Sequence, residues 1–262
     1  MIYRYGIAIK KALFLFFYSI RLFPLRDWLY FWFTFGLTKK IRISNIELNI
    51  RATNTKSKIV DLYMAVSCLM WNEYAKSDLA LNKSNVVIDI GGHIGSFSLL
   101  VGKSGALVYT YEPDPLNYLA LLDNIELNNL PNVKAYNLAV SGIPGLVPLY
   151  KHRHNTAAHS ILATDNNTPI SVPCTTLVDI LDHNNISSCT FLKLDCEGAE
   201  YEILLNTPLN YLSKIERISL EFHLHPKYKP EEIIRYLGRA GFTITKFDKE
   251  NRVQGIIWAK RS

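Results

Sequence analysis

Four ionisable residues lie close together in the chain, around the end of an apolar segment that ends at Leu194. They are Lys193, Asp195, Glu197 and Glu200. With the period of two of a strand, Lys193 and Asp195 share one face, and Asp195 lies at the carboxyl end, where doubly wound sheets bind ligands. A carboxylate whose pKa is raised by burial can act as a general base. We therefore predict catalytic roles for Asp195 and Glu197, whereas Glu200 fits either catalysis or a capping role in the next helix.

A second polar group ends another apolar segment, residues 215–222. Glu221 and His223 point to the same side of that strand, and they converge on Asp195 if the two strands are neighbours. Two carboxylates at adjacent strand ends repel each other unless a cation or a shared proton lies between them. One hypothesis is that Asp195 and Glu221 hold a Mg²⁺ ion, which would lower the pKa of a bound hydroxyl. The preferred alternative is metal-free catalysis with Asp195 or His223 as the base, because histidine is a poor Mg²⁺ ligand.

A glycine-rich turn follows the first apolar strand and reads Asp89-Ile-Gly-Gly-His-Ile-Gly95. Its spacing differs from the G-x-G-x-x-G of dinucleotide dehydrogenases, which disfavours a nucleotide-dependent oxidoreductase. Asp89 would repel a pyrophosphate but suits a cationic ligand such as a sulfonium. Glu112 ends the next apolar strand, where an acidic residue can bind both ribose hydroxyls of a nucleoside. Together these features indicate S-adenosyl-L-methionine as the cofactor.

Four ordered motifs carry a resemblance to a known family over roughly residues 72–250. They are Val86-Val-Ile-Asp-Ile-Gly-Gly-His-Ile-Gly-Ser, Tyr111-Glu-Pro-Asp-Pro, Asn137-Leu-Ala-Val-Ser and Leu192-Lys-Leu-Asp-Cys-Glu-Gly-Ala-Glu200. These motifs resemble the FkbM-type methyltransferases. The resemblance implies a class I fold with a seven-stranded sheet, S-adenosyl-L-methionine as methyl donor, and O-methylation of a sugar or other hydroxylated small molecule.

The resemblance also implies roles for individual residues. Carried over by position, the methionine part of the cofactor would meet the turn, the ribose would meet Glu112, and the adenine would lie beside the end of the third strand. The turn residues are Asp89, Gly91 and Gly95, and the third-strand residues are Asn137 and Ala139. At Gly92-His93 the family more often has Ala-Asn, although His93 can still form a hydrogen bond with the cofactor.

Apolar strand-like and helical segments alternate after residue 80, which is typical of an α/β, doubly wound, Rossmann-like sheet. The turn at 248–252 is too short for a crossover, so the last two strands must be antiparallel. Residues 142–175 interrupt the alternation, and we interpret them as an inserted hairpin over the site, where His159 and Ser160 contact substrate. The predicted organisation is a methyltransferase domain at 81–262, a hairpin and helix at 41–80, and an N-terminal helical segment at 1–40.

The N-terminal segment is basic and aromatic. Residues 1–60 hold eleven Lys and Arg against two acids, and residues 1–37 hold thirteen of the 31 aromatic residues. Its two apolar runs are shorter than the ~20 residues that a spanning helix needs. Basic residues beside Trp, Tyr and Phe are typical of an interfacial helix on an anionic membrane. The alternative is that the segment packs on the catalytic domain or on a second subunit.

The remaining composition narrows the class of protein. Residues 61–262 carry a net charge of −3, which disfavours nucleic acid as a partner. The four cysteines form no CxxC pair, so we expect reduced thiols in a cytoplasmic protein, peripheral at the inner face of the membrane if the basic segment binds lipid. A catalytically inactive, cofactor-binding accessory protein at a membrane is the alternative function. Asp195, Glu197 and Glu221 argue against it, because an inactive copy would often lose them.

Overall fold

The computed structural model describes residues 14–21, 25–34, 36, 38–52, 54–70, 80–151, 159–161, 168–223, 225–249 and 254–261. The helices are α1 (14–19), α2 (Leu25–Phe33), α3 (Thr55–Leu69), α4 (Ser96–Gly102), α5 (Pro115–Leu127), α6 (Leu177–His183), α7 (Glu200–Asn206), α8 (Leu209–Leu212) and α9 (Pro230–Arg239). The strands are β1 (Thr38–Ile43), β2 (Ile46–Arg51), β3 (Val86–Ile90), β4 (Leu107–Tyr111), β5 (Val133–Tyr136), β6 (Ala139–Val140), β7 (Gly145–Leu149), β8 (Ile170–Thr175), β9 (Phe191–Leu194), β10 (Arg217–His223), β11 (Phe242–Lys249) and β12 (Gln254–Arg261).

The main sheet has seven strands in the order β11-β12-β10-β9-β3-β4-β5. The five strands from β10 to β5 are parallel, and β12 pairs antiparallel with both β10 and β11. The predicted α/β, doubly wound, Rossmann-like sheet with an antiparallel last strand is therefore confirmed. Its strand order reverses between β3 and β9, and ligands bind at the carboxyl ends of strands at such a switch point.

The third strand is shorter than the sequence predicts. The apolar pattern of residues 133–138 predicts one strand there, but β5 ends at Tyr136. After two intervening residues, Ala139–Val140 form β6 in a second sheet of order β6-β8-β7. The side-chain amide of Asn137 donates to the backbone oxygens of Glu112 and Pro113, at 2.8 and 3.1 Å. These bonds tie the chain to the end of β4 where it leaves the main sheet. Strands β7 and β8 pair antiparallel, and Tyr150 forms a bridge with Ser160 beyond them.

The helix before the sheet begins earlier than its apolar periodicity predicts. The apolar periodicity of residues 61–76 predicts a helix there, whereas α3 spans Thr55–Leu69. Asn54 precedes it in an extended conformation, and its Oδ1 accepts a hydrogen bond from the Ser57 N–H at 3.0 Å. This N-cap satisfies a donor that the first turn leaves open and fixes the start of the helix. Residues 71–79 lie outside the described residues.

The N-terminal elements share a core with the main sheet. Leu15, Trp28 and Phe31 are buried in one apolar cluster with the β1–β2 hairpin, with α3 and with Val87 of β3. The described part of the basic, aromatic segment therefore packs on the α/β domain. Among the described residues, the helices are all too short or too polar to cross a membrane.

The turn after β3 lies very close to the backbone at the end of β9. A Cβ atom built on Gly91 would lie 1.8 Å from the backbone oxygen of Asp195, and Gly91 has a φ of +86°. We expect Gly91→Ala to lower the free energy of unfolding by about 3 kcal/mol or more, since it combines a left-handed backbone with overpacking.

Urea unfolding measures this effect, and Gly238→Ala provides the matched control. Gly238 lies in α9, and a Cβ there meets no atom within 4 Å. This change should raise the free energy of unfolding by about 0.5–1 kcal/mol through helix propensity. Equal effects of the two substitutions would contradict the packing that we describe for Gly91.

Candidate active site

A buried ion pair lies where the strand order reverses. Asp89 of β3 and Lys193 of β9 are register partners, and Lys193 Nζ donates to Asp89 Oδ1 at 3.0 Å. The ammonium also donates to the backbone oxygen of Gly91 at 3.0 Å and lies 3.9 Å from Asp195 Oδ2. Burial alone would lower the pKa of Lys193, but the Asp89 and Asp195 carboxylates raise it above its usual value. Asp89 thus meets a cation of the protein itself.

The glycines of the first loop serve packing as well as the site. Gly91 lines the cavity described below. A Cβ on Gly92 would lie 2.2 Å from Thr110 Oγ1, and one on Gly95 would lie 2.7 Å from Leu121 Cδ1. These two glycines therefore allow the loop to lie close to β4 and α5. The sequence indicates the turn but not which neighbour fills the space of each missing side chain.

Glu112 is buried at the end of β4 and accepts three hydrogen bonds. Its Oε2 accepts from the His93 N–H at 2.8 Å, and its Oε1 accepts from the Asp114 N–H at 2.9 Å and from Asn117 Nδ2 at 3.2 Å. Burial raises the pKa of Glu112 to about 7, against these donors, which lower it. The carboxyl group is thus held in one orientation in the cavity wall. Asn117 was not predicted, although it lies in the first turn after the strand-end acid.

His93 contacts residues of the N-terminal hairpin and α3. Arg51 Nη2 lies 2.7 Å from His93 Nε2, and Arg51 pairs with the buried Asp61 through two nitrogens, at 2.9 and 2.6 Å. Arg51 Nη1 also donates to Asn117 Oδ1 at 2.5 Å. Burial and the nearby Arg51 hold the pKa of His93 well below its usual value. Because arginine only donates, His93 Nε2 is the acceptor and the ring proton of the neutral imidazole is on Nδ1.

Arg51 and Asp61 are site residues that the sequence reasoning missed. They lie before the region of the resemblance, and their partners are 10, 42 and 66 positions away along the chain. Hairpin and helix periodicity gives no signal for such pairing.

On the other side of the switch point, His223 lies among three carboxylates. Its Nδ1 lies 3.2 Å from Glu200 Oε1, and its Nε2 lies 3.5 Å from Glu197 Oε2 and 3.6 Å from Glu221 Oε1. Burial lowers the pKa of His223, but the three carboxylates raise it well above its usual value. The three carboxylates favour the imidazolium form, which has no lone pair to accept a proton, so this arrangement disfavours His223 as the base.

Glu200 forms part of the loop after β9. It is fully buried, and its carboxylate accepts from the N–H groups of Cys196 and Gly198 at 3.0 and 2.9 Å. These bonds and the contact with His223 lower the pKa of Glu200 despite its burial. Of the two roles left open by the sequence, the structure supports the structural one.

Glu197 lies in the same loop and faces the cavity with Asp195. Its backbone is left-handed, with a φ of +55°, and its carbonyl accepts a hydrogen bond from Ser160 Oγ at 2.5 Å. Burial raises the pKa of Glu197 to about 7, although His223 lowers it. The carboxyl group is therefore poised to gain or lose a proton near neutral pH.

The cluster of possible metal ligands in the structure differs from the predicted pair of Asp195 and Glu221. In the part of the chain that the structure describes, ligand atoms of Asp195, Glu197 and His223 all lie within 4.8 Å of one another, and Glu221 is outside this group. The contact that Glu221 makes is with His223. A protonated His223 ring close to Glu197 and Glu221 reduces the repulsion between these carboxylates.

One cavity joins these parts, with about 580 Å³ of space that includes its open mouth. Of the eight predicted cofactor residues, Gly91, His93, Glu112 and Ala139 line it, while Asp89, Gly92, Gly95 and Asn137 support the wall from behind. Its apolar wall comes from residues near the ends of β4 to β7 and from α3, and these include Met64, Tyr111, Leu138, Val140 and Leu149. The predicted catalytic residues Asp195 and Glu197 line its other end.

Two described residues of the segment after β7 also line this cavity. His159 and Ile161 line it, and Lys151 Nζ lies 2.6 Å from Asp114 Oδ2 at its edge. His159 Nε2 lies 3.9 Å from the same carboxylate oxygen. Ser160 binds the loop of Glu197, as described above. Residues 152–158 and 162–167 lie outside the described residues.

The chain is similar to a known protein family and to two named proteins. The family described as Methyltransferase FkbM domain matches residues 89–244. The chain is 25% identical to Methyltransferase 1 of Beauveria bassiana over 160 residues, which are 52% of this chain and 63% of that protein, so it spans less than two thirds of that relative. It is 25% identical to Methyltransferase sdnD of Sordaria araneosa over 203 residues, or 64% and 78% of the two chains.

Among solved structures, the chain is similar to magnesium protoporphyrin IX methyltransferase (ChlM) from Synechocystis PCC 6803 with bound SAM. The TM-score is 0.43 at 15% identity, and the match covers 93% of this chain and 94% of that chain.

The ion pair beneath the cavity leads to a stability prediction. Lys193→Met leaves the Asp89 carboxylate buried without its cation, and we expect the free energy of unfolding to fall by about 3–5 kcal/mol. Adding Asp89→Asn should recover most of this loss, because it removes the uncompensated charge. Urea unfolding of the single and double variants gives both values.

Lys214→Met is the matched control for this experiment. Lys214 pairs with Asp182 at 3.6 Å, where Asp182 is exposed and Lys214 is partly exposed. Its loss should cost less than about 1 kcal/mol. A loss this small for Lys193→Met would show that the buried pair does not stabilise the fold as we describe.

Proposed function

Since the chain belongs to the FkbM methyltransferase domain family, we propose that it is an S-adenosyl-L-methionine-dependent methyltransferase acting on a hydroxyl group of a sugar or other hydroxylated small molecule. The observation that carries this proposal is one cavity with two different carboxyl groups at its ends. Glu112 is held by fixed donors at the end of β4, and Glu197 lies with Asp195 at the end of β9.

The residues at the β4 end fit the cofactor. A carboxylate has about four acceptor positions, and Glu112 uses three of them for its own loop. The remaining acceptor capacity and the apolar wall at Leu138 and Ala139 suit a ribose hydroxyl and a nucleobase. His93, with its proton on Nδ1, offers a neutral donor in the same wall. When bound, the cofactor supplies an electrophilic methyl group on a sulfonium.

The residues at the β9 end fit a hydroxyl acceptor. We propose that Glu197 takes the proton of the acceptor hydroxyl, because a base works best when its pKa lies near the operating pH. The His223 imidazolium, 3.5 Å away, holds the Glu197 carboxylate in place and limits the repulsion from Asp195 and Glu221. Asp195 orients the hydroxyl by accepting a hydrogen bond. The cation that a metal would provide is already present as His223, so we propose catalysis without Mg²⁺.

The charge and size of this cavity favour a small acceptor over a nucleic acid. Two carboxyl groups, Asp195 and Glu197, line its β9 end, and a phosphate backbone would be repelled there. Several carboxylates close together are a common way to bind the hydroxyls of a polyol through charge-assisted hydrogen bonds. These considerations support the sugar-like class of acceptor.

The role of Glu112 is tested by calorimetry with S-adenosyl-L-methionine. Glu112→Gln removes the charge that strengthens its hydrogen bonds to ribose, and we expect at least tenfold weaker binding. The pKa of about 7 adds a pH signature. Only the ionised form accepts fully, so the affinity of the parent should rise with pH through 7, whereas that of Glu112→Gln should stay flat.

The control for this test is Asp123→Asn, which replaces an exposed carboxylate on α5, the helix that follows Glu112. It should leave both the affinity and its pH dependence unchanged. A parental affinity in a folded Glu112→Gln protein, judged by its thermal melting, would remove Glu112 from the ribose site.

The role of Glu197 is tested by turnover on a pool of glycans with labelled cofactor. Glu197→Gln should lower kcat by about 10²-fold, the usual effect of losing a general base. In the parent, kcat/KM should fall as the pH drops below about 7, because the protonated carboxyl cannot accept a proton. This acidic limb should be lost in Glu197→Gln, and cofactor binding should persist.

Asp195→Asn and Glu126→Gln complete the comparison. Asp195→Asn should lower turnover while keeping the acidic limb, and the exposed Glu126→Gln should change nothing. Turnover of Glu197→Gln within threefold of the parent would exclude Glu197 as the base. Tight cofactor binding with no turnover on any hydroxylated acceptor would favour the inactive accessory protein, and loss of turnover with EDTA would contradict metal-free catalysis.

A further inference from the structure

The two N-terminal helices contact each other through their inner faces. The indole N–H groups of Trp28 and Trp32 both donate to Ser19 Oγ, at 3.0 and 2.9 Å, and the ring of Phe16 contacts both indoles. These contacts fix α1 against α2 and bury the polar atoms of the tryptophans. The helix pair is therefore a defined unit with one side turned inward.

This unit is anchored to the α/β domain at the end of α2. The side chain of Lys58, which is buried in α3, donates to the backbone oxygens of Phe31, Trp32 and Thr34, at 2.7, 3.3 and 3.1 Å. A C-terminal helix end with its open carbonyls is a favourable place for an ammonium. Lys58 thus satisfies the end of α2 and sets its position on the domain.

The outward side of the same unit is apolar. Leu25, Leu29 and Phe33 follow one another at intervals of four along α2, so they lie on one face of the helix. Phe14, Phe17 and Ile20 are also exposed on α1 and the turn after it. Phe17, Leu25 and Phe33 are 64–67% exposed, which is unusual for three such large side chains so close in the chain. We call these six residues the outer face.

Positive charge accompanies the outer face. Arg21 and Arg26 are exposed beside it. The first 46 residues of the chain hold eight Lys and Arg and a single acid, Asp27. Two copies of this chain would bring like charges together if they met through this face, which disfavours a homodimer there. An apolar surface with basic residues around it instead matches the interface of an anionic membrane.

We propose that the outer face docks the protein on anionic lipid, with the side chains of α1 and α2 entering the headgroup boundary and Arg21 and Arg26 contacting acidic headgroups. Each helix lies in the plane of the membrane, because over its described residues neither is long enough to cross it. This inference goes beyond the proposed function and does not depend on it. It assigns the bound surface to residues 14–21 and 25–33, with a defined inner and outer side.

The test is sedimentation of the full chain with vesicles of phosphatidylcholine containing 30% phosphatidylglycerol, compared with phosphatidylcholine alone. Leu25→Ser/Phe33→Ser removes two exposed apolar side chains and one edge contact with Trp28, and it keeps the hydrogen bonds of Ser19 and Lys58. We expect its partition to anionic vesicles to fall at least tenfold, since each large apolar side chain contributes to burial in the interface. Arg26→Gln should weaken it about fivefold, and only on anionic vesicles.

Leu116→Ser/Leu119→Ser is the matched control. These leucines are 63% and 56% exposed, on α5 of the α/β domain, and their loss should leave vesicle binding unchanged. Calorimetry with S-adenosyl-L-methionine on the same variants separates docking from the methyltransferase function, because the outer-face variant should keep the parental affinity. That readout does not depend on whether an acceptor has been found.

Three results would overturn the proposal. The first is a parent that stays in the supernatant with anionic vesicles, and the second is an outer-face variant that binds them as well as the parent. The third is a parental dimer, seen by sedimentation equilibrium, that Leu25→Ser/Phe33→Ser converts to monomer without any vesicle binding. In that case a second copy of the chain covers the outer face.

Discussion

The ion pair between Asp89 and Lys193 constrains the whole site. A lysine in a strand that is buried on both faces would be very unfavourable without a carboxylate, and its register partner on β3 supplies one. The same ammonium donates to the carbonyl of Gly91, so the pair also fixes the turn from which the cavity wall begins. The ends of β3 and β9 are thereby held together at the switch point, and the residues at the two ends of the cavity keep a fixed separation.

Glu112 and Glu197 have similar pKa values, near 7, that arise from different surroundings. Burial raises both pKa values. Neutral N–H donors oppose this rise at Glu112, and the charged ring of His223 opposes it at Glu197. In both cases burial dominates, so the folded protein binds protons that the unfolded chain would release. The stability from each group is fully present below its unfolded pKa of about 4.5 and is lost as the pH rises through 7. Holding both carboxyls ready to ionise thus lowers the stability of the fold at neutral and alkaline pH, a common conflict at functional sites.

Most of the sheet could be predicted from the sequence, because buried parallel strands are continuous apolar runs with polar residues at their carboxyl ends. The runs at β3, β4 and β9 match the structure to the residue. The polar partners could be predicted less well. The spacing of Asp89 and Lys193 along the chain does not show that they pair. The carboxylates that raise the pKa of His223 come together around its ring only in the folded structure. Arg51 gave no signal, since its partners come from α3, from the first loop and from α5.

Arg51 also sets where the functional unit begins. The family match starts at residue 89, yet a guanidinium from β2 contacts the ring of His93 and the amide of Asn117, which in turn holds Glu112. The hairpin that carries Arg51 shares its apolar core with α1 and α2. Any ligand that binds the cavity and favours this arrangement must stabilise the N-terminal helices by mass action, and anything that orders those helices must tighten the cavity by the same factor. If lipid orders these helices as we propose, occupancy of the cavity and attachment at the amino-terminal surface are therefore thermodynamically coupled, with Arg51 as the physical link between them.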